Sequence, residues 1–167
     1  MSPRSLRPGA RYLLASIVVA VLDIAFAIAY WVGYRGLTTA PRILRSIASG
    51  LLGPSAMDGG AGTAALGAVL HLAIAMIWTA ILLVGLRRVG ALARLVRRPG
   101  GAILLGAPFG MIVWLAMNFV VTPLAHGSAT PPSRTAFWVM LIWHAIGVGI
   151  PMAAVLRGAV VSPGSSA

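Results

Sequence analysis

Four apolar stretches, each long enough to cross a lipid bilayer, constrain this chain more than any other feature of its sequence. They occupy residues 12–34, 64–86, 102–125 and 135–156. A helix rises about 1.5 Å per residue, so roughly 20 apolar residues cover the hydrocarbon core of a bilayer. Only short connections separate the stretches, and residues 1–167 are therefore predicted to form a single integral membrane domain.

The composition agrees with this prediction. Hydrophobic residues make up 59% of the chain and charged residues 9%, whereas soluble domains carry about 25% charged residues. In lipid, a spanning segment must satisfy its own backbone hydrogen bonds, which favours helices. The predicted fold class is all-α, a four-helix transmembrane bundle. The sequence has no cysteine, which excludes disulfides, thiolate zinc sites and iron–sulfur clusters.

The positive charges are arranged as in a membrane protein and not as in a nucleic-acid-binding protein. The net charge is +11 and all 13 basic residues are arginines, but they lie between apolar spans, so no nucleic-acid partner is expected. Nine of them precede the first span, follow the second or follow the fourth, and four occupy the other two loops. Because cytoplasmic loops carry the excess of arginine, both termini are predicted to be cytoplasmic.

The densest charge cluster follows the second span. It comprises five arginines within twelve residues: Arg87, Arg88, Arg94, Arg97 and Arg98. Each arginine close to an anionic membrane surface contributes about 1 kcal/mol of binding. The expected partners are therefore the lipid bilayer and its anionic headgroups, and self-association into a homo-oligomer is left open.

The first loop has helical periodicity of its own. Ile43, Leu44 and Ile47 recur at helical spacing while Arg42 and Arg45 fall largely on the other side. This pattern predicts a short amphipathic helix over about residues 42–53, lying in the outer membrane interface.

Asp23 lies in the middle of the first span, where a carboxylate costs roughly 2.5 to 3.5 kcal/mol on insertion scales and therefore must face protein or water. The same stretch continues past Ala27, so it is interpreted as an uncleaved span and not as a signal peptide. Each of the other spans brings one polar residue to a similar depth, within a layer about 6 Å thick. The predicted buried polar layer comprises Asp23, His71, Asn118 and His144.

Three interpretations of this layer remain open. It could be structural, with hydrogen bonds that fix helix register. It could serve a conduit or transporter component for a proton, an ion or a small solute, since Asp and His exchange protons. It could bind a cofactor, with His71, His144 and Asp23 as ligands of zinc or iron, or the two histidines as axial ligands of haem, although no cofactor at all is the simpler expectation.

Residue roles follow from these interpretations. Asp23 is a charge partner or ligand, the two histidines are acid–base groups or ligands, and Asn118 is an orienting hydrogen-bond donor. A hydrolytic site is not favoured, because Ser16 lies two turns from Asp23, so the chain is expected not to be an enzyme. His126 falls in a loop and is expected to be solvated.

Several segments together resemble a group of small bacterial inner-membrane proteins of unknown activity, and are loosely similar to the YagU-like inner-membrane proteins. The resemblance extends over most of the chain between Tyr12 and Arg157. It implies four spans in the bacterial inner membrane and no particular activity. The segments that carry it are residues 22–24, 42–53, 63–71, 117–124 and 144–151.

Overall fold

The computed structural model describes residues 6–127 and 132–160, and all regular structure in these residues is helical. Four of the helices are long and apolar enough to cross a membrane, and each of the four predicted spans lies within one of them, which confirms the predicted fold class to that extent. The helices are labelled in chain order: α1 Pro8–Tyr34, α2 Ala40–Leu52, α3 Ala61–Arg88, α4 Gly90–Arg97, α5 Gly101–His126 and α6 Arg134–Arg157.

Proline, glycine and serine set several of the helix ends. Proline occupies the first turn of α1 and of α2, where the missing backbone N–H has no helical partner to lose. Helix α2 stops at Gly53, whose φ of 81° is readily adopted only by glycine. Ser133 caps α6, since its side chain accepts a hydrogen bond from the backbone N–H of Ala136.

The long helices pack in the order α3, α1, α6, α5. Helix α1 contacts α3 on one side and α6 on the other, and α5 packs along α6. Helices α3 and α5, at the two ends of this series, have little direct packing against each other. At one end, here called the α4 end, α4 contacts α3, α5 and α6. At the opposite end, the α2 end, α2 packs on α3 and reaches the end of α5.

Glycines allow α5 and α6 to approach backbone to backbone. A Cβ atom on Gly106 would lie 2.5 Å from the carbonyl oxygen of Gly149, and one on Gly110 would collide with the carbonyl oxygen of His144. The small-residue pair Gly106 and Gly110, spaced four apart, is a helix-contact motif of the kind that membrane helices use. Gly67 has the same role where α2 crosses α3, against the carbonyl of Leu44.

Two of the long helices contain a π-helical segment shortly before a proline. In α5 the segment is Met117–Val121, followed by Pro123, and in α6 it is His144–Gly149, followed by Pro151. Proline donates no backbone hydrogen bond and its ring clashes with the carbonyl four residues earlier. In both helices that carbonyl lies inside the wider π-helical turn, which accommodates the clash.

Large apolar side chains close the α4 end of the assembly. The most deeply buried of them are at most 2% exposed: Val19, Leu86, Val96, Met152 and Leu156. We refer to these five residues as the apolar plug. Val96 belongs to α4, a helix that the sequence analysis treated as a loop. It forms because Leu92 and Val96, one turn apart, both pack against this core while its arginines face outward.

Helix α2 occupies the part of the first loop where an amphipathic helix was predicted. It is shorter than the long helices and contacts α3 along one face. Its predicted position in a membrane interface is a separate expectation that the fold does not test.

Candidate functional site

Three of the predicted polar residues meet on three different helices. Asp23 of α1 lies between His71 of α3 and His144 of α6. The distance from the carboxylate to Nε2 is 3.9 Å for His71 and 3.5 Å for His144. The three side chains remain partly accessible, with exposed fractions of 25% for Asp23, 18% for His71 and 13% for His144. We call these residues the Asp–His–His trio.

The hydrogen bonding of His144 fixes its tautomer. Its Nδ1 lies 2.9 Å from the carbonyl oxygen of Met140. Because a carbonyl oxygen only accepts hydrogen bonds, Nδ1 carries a hydrogen and donates it. Nε2 is thereby left facing the carboxylate of Asp23.

His71 connects α3 to α1. Its Nε2 donates to the carbonyl oxygen of Ala20 over 3.1 Å, one turn before Asp23 on α1. The same nitrogen is 3.9 Å from the carboxylate, too far for a direct hydrogen bond. The hydrogen bond to Ala20 therefore positions the ring of His71 beside Asp23, and the ring makes no direct hydrogen bond to the carboxylate.

Asn118, the fourth predicted residue, is not brought to the trio by the described contacts. Its Nδ2 donates to the carbonyl oxygen of Trp114 on its own helix, over 3.1 Å. The sequence analysis assigned faces for a regular helix, but Asn118 lies inside the π-helical segment of α5. A π-helical turn changes which side chains share a face. Here Met117 and Val121, and not Asn118, line the same cleft as the trio.

A cleft of about 670 Å³ opens between α3 and α5, where these helices do not pack closely. The trio lines its deeper half, and Val19, Trp78 and Met152 lie beyond the trio toward the α4 end. The rest of the lining is mostly apolar. Six apolar side chains of the walls are Ile47, Leu51, Leu70, Ile74, Met117 and Val121.

At the α2 end, His126 lies at the mouth of the cleft and joins two helices. Its Nδ1 donates to the carbonyl oxygen of Thr122, and its Nε2 lies 3.1 Å from the hydroxyl of Ser49 on α2. The ring is exposed, as predicted for a solvated residue, but it also contacts α2. Ser49 was not predicted to be part of the site. The sequence pattern that could have indicated it is the pair Ser46 and Ser49, which lie one turn apart on the predicted short helix.

The five predicted headgroup arginines are all exposed at the α4 end of the assembly, in α3, in α4 and just after it. Other arginines at this end bond to backbone carbonyls. Arg157 donates to the carbonyl of Arg97 over 2.7 Å, and Arg11 to that of Val155 over 3.3 Å. These bonds satisfy carbonyl groups near helix ends.

The hydrogen bonds of His71 and the arrangement of the ionisable side chains bear on the predicted metal ligands His71, His144 and Asp23. Within residues 6–127 and 132–160, no group of three or more His, Cys, Asp or Glu side chains is arranged to hold a metal ion. Nε2 of His71 donates to Ala20, so this nitrogen has no lone pair for a metal. Ser16 is also unsuited to hydrolysis, because it is 1% exposed and donates its hydroxyl hydrogen to the carbonyl of Tyr12.

Comparison of the chain with protein-family models, with curated proteins and with solved structures finds no match. The resemblance to small bacterial inner-membrane proteins therefore stays a prediction. The function proposed below therefore rests on the cleft.

Proposed function

We propose that this chain is a multi-pass protein of the bacterial inner membrane. The outer surface of every long helix carries large apolar side chains that are more than half exposed. Examples, one from each helix, are Val21 at 57%, Val69 at 64%, Ile103 at 58% and Ile142 at 55%. Apolar surface of this extent on all sides is unfavourable in water and favourable in lipid.

The arginines support an orientation in which the α4 end faces the cytoplasm. Of the 12 arginines in the part of the chain that the structure describes, eight belong to segments at the α4 end and four to segments at the α2 end. By the positive-inside rule, this asymmetry supports both termini and α4 on the cytoplasmic side and α2 on the outer side. The exposed cluster around α4 then lies against anionic headgroups of the inner leaflet.

The function that the geometry supports best is binding of a small solute from the outer side, as a transporter component. The observation that carries this proposal is the cleft, which reaches the Asp–His–His trio from the α2 end and stops at the apolar plug. A volume near 670 Å³ lies within the range of about 300 to 1,000 Å³ of small-molecule sites. Mostly apolar walls with a few convergent polar groups are also typical of such sites.

Two alternatives fit the geometry less well. A purely structural network would bring its polar atoms to hydrogen-bond distance, yet the carboxylate of Asp23 stays 3.5 and 3.9 Å from the histidines and remains open to the cleft. A metal or haem site is disfavoured by the donor role of His71. Neither alternative explains a cleft that opens beside the trio.

The absence of native cysteine allows a direct test of one-sided access. Ala75 lines the cleft below His71, and Ala153 is fully buried beside the plug. When it is added outside intact cells, a small membrane-impermeant thiosulfonate should label Ala75→Cys and leave Ala153→Cys unlabelled. Labelling of Ala75→Cys only from the cytoplasmic side, or of both positions alike, would contradict the proposed cleft.

A second experiment tests transport. The protein is reconstituted in liposomes with a pH-sensitive dye, and proton movement is followed after a pH step. Asp23→Asn should lower any protein-dependent flux to the level of empty liposomes. Asp58→Asn is the matched control, because Asp58 is the other acidic residue of the sequence, is exposed at the end of the short 3-10 helix Pro54–Asp58, and does not line the cleft. Equal flux in both variants would exclude Asp23 from the pathway.

A further inference from the structure

We infer that the cleft selects a hydrophobic monocation, with the carboxylate of Asp23 as its counter-charge. The inference rests on the proposed function, because it requires a cleft that solutes can enter. It specifies the chemical class of the solute.

The charge of the lining favours a cation. Among the described lining residues, Asp23 is the one acidic side chain. None of the 12 arginines in residues 6–127 and 132–160 belongs to the lining. A carboxylate beside apolar walls interacts with an opposite charge much more strongly than it would in water. Anions gain nothing comparable there.

The walls favour a cation whose charge is surrounded by apolar groups. Leu70, Ile74 and Val113 offer no hydrogen-bond acceptors for the hydration shell of a small metal ion. Trp78 adds an aromatic ring in the deeper part of the cleft, and aromatic rings attract organic cations. An organic ammonium or phosphonium ion with bulky apolar substituents fits this lining best.

The histidines around Asp23 are engaged in hydrogen bonds of their own. His71, on α3, donates its Nε2 hydrogen to the carbonyl of Ala20, and Nδ1 of His144, on α6, donates to Met140. His126, at the end of α5, lies at the mouth, where its ring bonds to Thr122 and Ser49. Among the described lining residues, α2 contributes no charged side chain, and Asp23 is the one charged side chain that α1 contributes.

The test is calorimetric titration of the full-length protein in detergent with tetraphenylphosphonium. Saturable binding is expected, because the carboxylate of Asp23 attracts the cation and the apolar walls bury its substituents. Tetraphenylborate, an anion of the same shape, should show no saturable binding.

Two variants test the role of the carboxylate. Asp23→Asn should abolish saturable binding of tetraphenylphosphonium, and Asp58→Asn should not change it. Equal binding by both variants would overturn the inference.

A measurement in the otherwise native chain covers the case in which Asp23→Asn does not fold. The cysteine of Ala75→Cys should react about tenfold faster with a small cationic thiosulfonate than with an anionic one, relative to a free thiol in solution. Equal rates, or binding of both ions alike, would overturn the cation inference while leaving the accessible cleft intact. If Ala75→Cys does not react from the outside at all, the proposed function fails first.

Discussion

The two ends of the helix assembly are built from the same four long helices, yet only one of them is tightly packed. At the α4 end, Leu86, Met152 and Leu156 are at most 1% exposed and belong to one hydrophobic core. At the α2 end, the same two helices separate around about 670 Å³ of open volume. The tightly packed core and the candidate site therefore lie at opposite ends of the same helices.

Chain connectivity explains the difference. Helix α4 joins α3 directly to α5, so at this end the two helices are held close by a connection of few residues. At the other end α3 is preceded by α2, and α5 leads to α6, so no connection pulls α3 and α5 together. Only the packing of α2, with the contact between Ser49 and His126, bridges the gap.

The largest effect is expected where the tightly packed end and the trio are joined, at Gly110. A side chain there would meet the carbonyl of His144, and backbone atoms cannot move aside as a flexible side chain can. Gly110→Val should destabilise the fold by about 3 kcal/mol or prevent folding, as overpacked sites do. The measurement is the folded fraction during titration with sodium dodecyl sulfate.

Gly62→Val is the control for this experiment. A Cβ atom on Gly62, also in a long helix, would meet nothing within 4 Å. Both substitutions replace a helical glycine with valine, and the steric contact with another helix is present only at Gly110. Similar stability of the two variants would show that the close approach of α5 and α6 is not needed for folding.

The next effect compares the two ends directly. Leu86→Ala in the apolar plug leaves a cavity and should cost about 2 kcal/mol of unfolding free energy. Leu51 lines the cleft and is 66% exposed, so Leu51→Ala removes the same atoms without creating a new cavity. Its cost should stay below about 0.5 kcal/mol. Equal costs would mean that the cleft is closed in the folded protein.

Much of the fold could be predicted from the sequence because length and hydrophobicity alone select spanning helices. Residues 64–86, for example, lie wholly inside α3. The meeting of Asp23 with two histidines could also be anticipated from depth, since residues at the same level on neighbouring helices face a shared interior. Helix α4 was not anticipated, because its burial depends on a core formed by distant segments, of which Val96 is a part.

The fate of Asn118 shows where sequence reasoning reached its limit. A regular period of 3.6 residues places it on the interior face, but the π-helical turn before Pro123 changes that face. The proline was visible in the sequence, whereas the wider turn that relieves its clash was not. The cleft itself follows from the lack of packing between α3 and α5, which no local pattern encodes.

The smallest effect concerns the one polar contact that holds α2 over the cleft. His126→Ala removes the partner of Ser49 and should weaken this contact by about 1 kcal/mol, the typical value of a hydrogen bond. Global stability should hardly change, because local opening at α2 does not require the plug to unfold. The measurement is the rate at which a thiosulfonate labels Ala75→Cys from outside, which should rise about fivefold if access is limited by opening of α2.

Leu124→Ala provides the control in the same turn of α5. Leu124 is 81% exposed and does not line the cleft, so its truncation should leave the labelling rate unchanged. If His126→Ala also leaves the rate unchanged, α2 does not limit entry and solutes reach the trio through the lateral gap between α3 and α5. That result would keep the cleft but move its entrance from the outer surface to the side that faces lipid.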